Sequence, residues 1–252
     1  MLSALEQFAP LPLQESWDNA GLQLGLTEAE VSGALLCLDV NEQIVDEAIQ
    51  KGCNLIVSHH PLLFHGLKQI SGANYVQRCV IKALKNDIVV VSMHTNMDNA
   101  QGGVNWKIAE KLNATVLNAS PIENEKTPLV LVELPRQMDA RAFIELIKKQ
   151  FRCECAMCNE LLQRPIRKVG ICGGAGDFLL DDALQQGADA FITGEMHYHQ
   201  YFGYEQQIQI CVIGHYQSEQ YTAEIFRDII QKECPGVPTK IAETITNPIV
   251  YI

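Results

Sequence analysis

At 252 residues, 47% hydrophobic and 19% charged, the chain has the make-up of an ordinary globular protein, long enough for one large or two small domains. A net charge of −11 argues against non-specific binding to nucleic acid or anionic membranes, and no apolar stretch approaches membrane-spanning length. The first 25 residues lack the basic start and apolar centre of a secretory signal, and they are not an Arg-rich transit peptide. The nine scattered cysteines read as reduced thiols, so a cytoplasmic location is expected.

In chain order, residues 1–16 form a short apolar helix or turn interrupted by Pro10 and Pro12. Residues 16–25 then read as a polar turn with two glycines, in which Trp17, Asp18 and Asn19 either line a cavity or make an Asx-type turn. Next come a strand over 34–39, a helix over 42–51, a strand over 54–58, a helix near 74–86 and a strand over 88–92. Strands and helices alternating at this spacing imply βαβ units and a mainly parallel sheet. The polar segment 119–127 is the expected connection between two halves, 1–125 and 126–252. A further strand and an amphipathic helix over 140–151 follow it, and then the pattern of the first half restarts.

The restart is the most informative feature. Asp46-Glu-Ala-Ile-Gln-Lys-Gly52 matches Asp181-Asp-Ala-Leu-Gln-Gln-Gly187 without a gap, at an offset of 135. The same offset lays Ala34-Leu-Leu-Cys37 on Val169-Gly-Ile-Cys172, Leu55-Ile-Val-Ser58 on Ala190-Phe-Ile-Thr193, and His60 on Glu195. Strands ending in His94 and His215 also correspond, each with a carboxylate four residues on, Asp98 and Glu219. Such self-similarity implies an internal duplication, with the strand ends of both halves facing one central site.

The apolar run 54–58 ends in His59, His60 and Pro61, and the proline keeps His60 on extended backbone. The carboxyl ends of strands are where open α/β sheets bind ligands, and paired imidazoles there suit a divalent metal. Each (i, i+4) pair, His94 with Asp98 and His215 with Glu219, is able to converge on the same edge; a helix-cap interaction is the plainer alternative. Six N and O donors exceed what one ion takes in an open site. The expectation is therefore a dinuclear centre from His59, His60, Asp98, His215 and Glu219, with His94 a ligand or a support. Glu195, His197 and His199 occupy the second half's equivalent of the His59–His60 position. They are candidates for acid–base catalysis, or for holding the ligating histidines.

Two further motifs are weaker. Cys172-Gly-Gly-Ala-Gly-Asp177 would cradle a phosphate or simply make a tight strand-to-helix turn, with Asp177 as N-cap. Cys153, Cys155 and Cys158 have part of a zinc-ligand spacing without a fourth member nearby, and read as a packing cluster of thiols.

The stretches 16–25, Ser58-His-His-Pro-Leu-Leu-Phe64, His94-Thr-Asn-Met-Asp98, Gly173-Gly-Ala-Gly176, Thr193-Gly-Glu195 and Gly214-His215 with Glu219 together resemble the type 2 GTP cyclohydrolase I homologue family, also called NGG-interacting-factor-like dinuclear metal proteins. The likeness spans nearly the whole chain, with the motifs in the family's order. It implies an internally duplicated α/β fold of two intertwined three-layer halves with mixed, mostly parallel sheets and no inserted domain. It further implies two divalent ions (zinc, iron, manganese, cobalt or nickel) on His59, His60, Asp98, His215 and Glu219, and a homohexameric ring. The implied activity is a metal-dependent hydrolase acting on a nucleotide or related small molecule, in the manner of GTP ring opening by attack of hydroxide on C8. The alternatives are nucleotide phosphoester cleavage, and a metal-binding regulatory or scaffold ring without turnover. Relatives often have adjacent histidines after the position of Glu195, whereas Tyr198 here separates His197 from His199.

Overall fold

The computed structural model describes residues 1–118 and 125–252. The 119–127 connection expected from sequence therefore lies largely outside the described residues. The chain forms two compact units, one from Met1–Ala100 with Tyr221–Pro248, the other from Gln101–Gln220 with Ile249–Ile252. The divisions fall after Ala100 and Gln220 rather than at 125/126, so each unit draws on two stretches of chain. A polar stretch marks an exposed connection, whereas membership of a unit depends on which core a segment packs into, and polarity does not report that.

Met1–Ala100 carries α1 (Leu2–Phe8), β1 (Gly21–Leu24), β2 (Ala34–Cys37), α2 (Glu42–Gln50), β3 (Leu55–Ser58), α3 (Tyr75–Lys85), β4 (Val89–Ser92) and α4 (Thr95–Asn99). Gln101–Gln220 carries α5 (Val104–Lys111), β5 (Thr115–Val116), β6 (Val130–Met138), α6 (Ala140–Gln150), β7 (Met157–Cys158), β8 (Ile166–Cys172), α7 (Leu180–Gln185), β9 (Ala190–Thr193), β10 (Gln209–Val212) and α8 (His215–Glu219). The return stretch adds α9 (Thr222–Glu233) and β11 (Thr239–Ile241) to the first unit.

The first unit's sheet runs β1-β4-β3-β2-β11, parallel except for β1, which pairs antiparallel with β4. All residues of β2, β3 and β4 are buried, which explains their unbroken apolar runs. Residues 16–25 are not only a turn, because 21–24 form the edge strand β1. Four residues with two glycines nearby give too little alternation for sequence to register; pairing with β4 makes them a strand.

The second unit's sheet runs β5-β6-β8-β9-β10-β7, with β8, β9 and β10 parallel and the outer pairings antiparallel. Its three parallel strands repeat the register of β2, β3 and β4: Ala34 pairs with Leu55, and Val169 with Ala190, at the offset read from sequence. The two registers are consistent with an internal duplication. Both sheets thus mix parallel and antiparallel strands in an α/β architecture.

Local sequence explains the helix starts. The side chains of Asn41, Asn74 and Asp139 each accept the N3 amide of α2, α3 and α6, a cap that contributes about 1 kcal/mol. Two apolar cores lie beneath the helices, the first closed by α2 and α3 and the second by α7. One gathers Leu35, Ile44, Ile56, Val80 and Val90, the other Leu131, Leu180, Phe191, Ile208 and Ile210. Phe191 is fully buried, which stabilises by about 1.5–3 kcal/mol. Among the described residues no helix is long and apolar enough to cross a membrane.

Candidate metal centre

In the first unit, β3 and β4 are parallel neighbours that end together, with Ser58 opposite Ser92. The two hydroxyls hydrogen-bond at 2.8 Å, and the His60 carbonyl lies within reach of both, at 2.9 and 3.3 Å, so that one hydroxyl donates to the carbonyl and the other to its partner hydroxyl. This pins the turn that presents His59 and His60, while His94 leaves the end of β4 as the N-cap residue of α4. The three imidazoles cluster with ring centroids 4.9, 5.2 and 5.4 Å apart, and each offers a nitrogen within 4.8 Å of the others.

Each ring is oriented through Nδ1. His59, wholly buried, donates to the Met93 carbonyl at 2.8 Å. His60 donates to Asp39 at 2.7 Å, and the other oxygen of Asp39 accepts the Thr246 hydroxyl at 2.6 Å. His94 donates to Asp18 at 2.8 Å. Asp18 also accepts the amide and hydroxyl of Thr95. Burial alone would raise the Asp18 pKa, but the hydrogen bonds from His94 and Thr95 and the charge of His94 outweigh it and hold the carboxyl at about 2. Engaging Nδ1 turns Nε2 into the nitrogen that could ligate a cation and fixes the ring plane, the usual support of a metal-binding histidine. Asp98, on α4, lies with a carboxylate oxygen 3.5 Å from His59 Nε2. It does not cap α4, which has no side-chain cap.

From sequence, Asp18 reads only as a cavity or turn residue, and Asp39 only as the last residue of the 34–39 strand. A signal for Asp39 existed: it follows β2, whose end is parallel to and in register with the end of β3.

In the second unit, β9 and β10 end side by side, with Thr193 opposite Val212. His215 begins α8 and pairs with Glu219 one turn on, Nε2 to carboxylate oxygen at 3.1 Å. Its Nδ1 donates to Glu195 at 2.8 Å. Glu195 thus lies beside the His215 ring, with its carboxylate against Nδ1. Glu219 is only 3% exposed, and a buried carboxylate requires a charged or hydrogen-bonding counterpart. His197 and His199 are placed differently. The His197 side chain is 89% exposed and pairs with Asp177, which raises its pKa, while His199 stacks on Phe202.

The glycine loop is occupied by the protein itself. The amides of Gly173, Gly174 and Gly176 go to Asn105, Ser218 and Thr193 at 2.8, 3.0 and 3.0 Å, leaving no amide cradle for phosphate. A Cβ on Gly174, at φ +60, would run into the Glu219 carboxylate, so this glycine serves close approach to Glu219. Asp177 is not an N-cap: it opens a short 3-10 turn whose cap residue is Gly176.

The donor chemistry fits a divalent cation. Oriented imidazoles with carboxylates beside them suit zinc, iron, cobalt, nickel or manganese.

The sequence profile of Duf34/NIF3 (NGG1p interacting factor 3) matches residues 1–248. The chain belongs to this family. Its NIF3 relatives include a GTP cyclohydrolase 1 type 2 homolog of Clostridium perfringens, 35% identical over 223 residues that cover 87% of this chain and 85% of that protein. NIF3-like protein 1 of Drosophila melanogaster is 32% identical over 92% of this chain and 81% of its own length. The crystal structure of Staphylococcus aureus protein SA1388 superposes with a TM-score of 0.89 at 26% identity, covering 100% of this chain and 97% of that one. The resemblance read from the motifs is thereby established, and with it the NIF3 fold.

Proposed function

We propose that this NIF3-family chain is a dinuclear metal-dependent hydrolase of a nucleotide or related small molecule. His59, His60, Asp98, His215 and Glu219 would hold the ions, with His94 as a further donor. The observation that carries this reading is the cluster of His59, His60 and His94, three rings each fixed through Nδ1 by a separate acceptor. Three rings so oriented suit a cation far better than they suit packing. Two divalent ions would lower the pKa of a bound water and so supply a nucleophile near neutral pH. Glu195 would hold His215 in one tautomer and take up or release its proton at Nδ1.

Trp17 and Phe64 support a planar substrate. They are 59% and 42% exposed, with ring centroids 5.9 and 6.0 Å from His94 and 5.8 Å from each other, their planes tilted by 44°. Exposed rings beside a polar cluster offer a stacking surface for a nucleobase. The relatives named as GTP cyclohydrolase 1 type 2 homologs favour guanine nucleotides as the first class to try. A cytoplasmic homohexamer belongs to the same proposal.

The test is metal content per chain by elemental analysis, with a nucleotide turnover screen on the reconstituted protein. About two ions per chain, lost in His59→Ala, with turnover abolished in Glu219→Gln, is the expected result. Near-zero metal after reconstitution would overturn the metal centre. Full metal without turnover of any nucleotide would instead favour a metal-binding scaffold.

A further inference from the structure

The Cys153, Cys155 and Cys158 cluster gains in the fold a member that spacing did not provide. Cys158 lies on the two-residue edge strand β7, and its direct partner across the antiparallel ladder is Cys211 of β10. Directly opposed residues of such a ladder have Cα atoms about 4.5–5.5 Å apart, inside the range of about 4.4–6.8 Å that a disulfide bridges. All nine cysteines are free thiols in the structure, with Cys211 buried and Cys158 half-buried at the sheet edge. Cys153 is held otherwise: its thiol lies within hydrogen-bond reach of the Cys155 carbonyl at 2.7 Å and the Ile213 carbonyl at 3.2 Å. The Tyr201 hydroxyl is buried without a hydrogen-bond partner among the described residues. The thiols of Cys158 and Cys211 are close enough for their charge, after burial, to push its pKa up to about 12.

We infer that Cys158 and Cys211 form a thiol–disulfide exchange site, with Cys158 the attacking and Cys211 the resolving sulfur. The two thiols differ as such a pair must. A hydrogen bond from Cys211, aided by Lys148, outweighs burial and lowers the Cys158 pKa, whereas burial drives the Cys211 thiol well above its ordinary value. The co-reactant is a low-molecular-weight disulfide. The Cys158 thiolate attacks one of its sulfurs, forming a mixed disulfide and releasing one small thiolate. The Cys211 thiol then loses its proton to the released thiolate and attacks Cys158 Sγ, expelling the second small thiolate. Two protein thiols are oxidised to one disulfide, and one small disulfide is reduced to two thiols. The bridge would tie the edge strand to β10, whose end leads into His215.

The test uses the full chain in oxidised glutathione, with alkylation of remaining thiols and peptide mapping by mass spectrometry. Two of the nine cysteines are expected to resist alkylation, in a peptide joining Cys158 to Cys211. Cys211→Ala should stop at a glutathione adduct on Cys158. The inference is overturned if Cys158 remains fully alkylatable while exposed Cys155 is glutathionylated, or if Cys158 bridges to Cys153 or Cys155. Should Cys211→Ala fail to fold, the linkage map of the wild-type chain decides alone.

Discussion

His59 and Gly194 occupy the same position in the two units, one residue beyond β3 and one beyond β9, at the offset that relates the two sequences. Both amides bond back to the end of the neighbouring parallel strand, His59 to the Cys37 and Leu38 carbonyls, Gly194 to the Gly174 carbonyl. The side chains could hardly differ more. The first unit packs a whole imidazole into a buried slot there; the second has no room for a single carbon. A Cβ on Gly194 would come within 2.7 Å of the Gly174 carbonyl oxygen and 2.9 Å of His215 Cα. The next position repeats the contrast, with His60 set against Glu195. One backbone frame thus supplies imidazoles in one unit and, in the other, a close-packed turn with carboxylates around a lone histidine.

The largest expected effect comes from filling that turn. Gly194→Ala would press a methyl onto backbone that cannot give way, costing on the order of 3 kcal/mol in denaturant unfolding. A loss below about 0.5 kcal/mol would show that the turn is not held as tightly as its contacts indicate. Next are the carboxylates that orient the rings. Asp18→Asn in the first unit and Glu195→Gln in the second should each weaken divalent-metal affinity about 10–100-fold by calorimetric titration. An effect of Asp18→Asn alone would confine tight binding to the imidazole cluster.

The smallest effect is a pH dependence found in one unit. Glu47 on α2 is buried, and it accepts Lys51 Nζ at 2.6 Å and the amides of Glu243 and Thr244 at 2.8 and 3.0 Å. Its counterpart Asp182 on α7 is exposed. Burial would raise the Glu47 pKa, but Lys51 and the two amides prevail and lower it from 4.5 to about 2. A carboxyl whose pKa falls on folding stabilises above its unfolded value, and that contribution drains away as pH falls from about 4.5 toward 2. Glu47→Gln should cost about 1–2 kcal/mol at neutral pH and flatten the unfolding profile across that window. Asp182→Asn, at its exposed position, should change stability at neutral pH by less than about 0.5 kcal/mol.

Much of the core frame was legible because its signals are local. The buried runs of β2, β3 and β4 and the matching segments that set the 135-residue offset each lie in short stretches of sequence. So do the adjacent histidines and the (i, i+4) spacings of His94 with Asp98 and His215 with Glu219. By themselves these residues determined the α/β class, the family and the candidate donors.

Only the tertiary structure decided what surrounds those donors. Asp18 reaches His94 across 76 residues, and Cys211 meets Cys158, 53 residues before it, across an antiparallel ladder. Tertiary contacts also turned part of the loop 16–25 into an edge strand, consumed the glycine amides at 173–176, and gave His197 to Asp177. The physical reason is common to all of these. Hydrogen bonds and strand pairing join groups by proximity in space, and sequence periodicity reports only on neighbours within a turn or a strand.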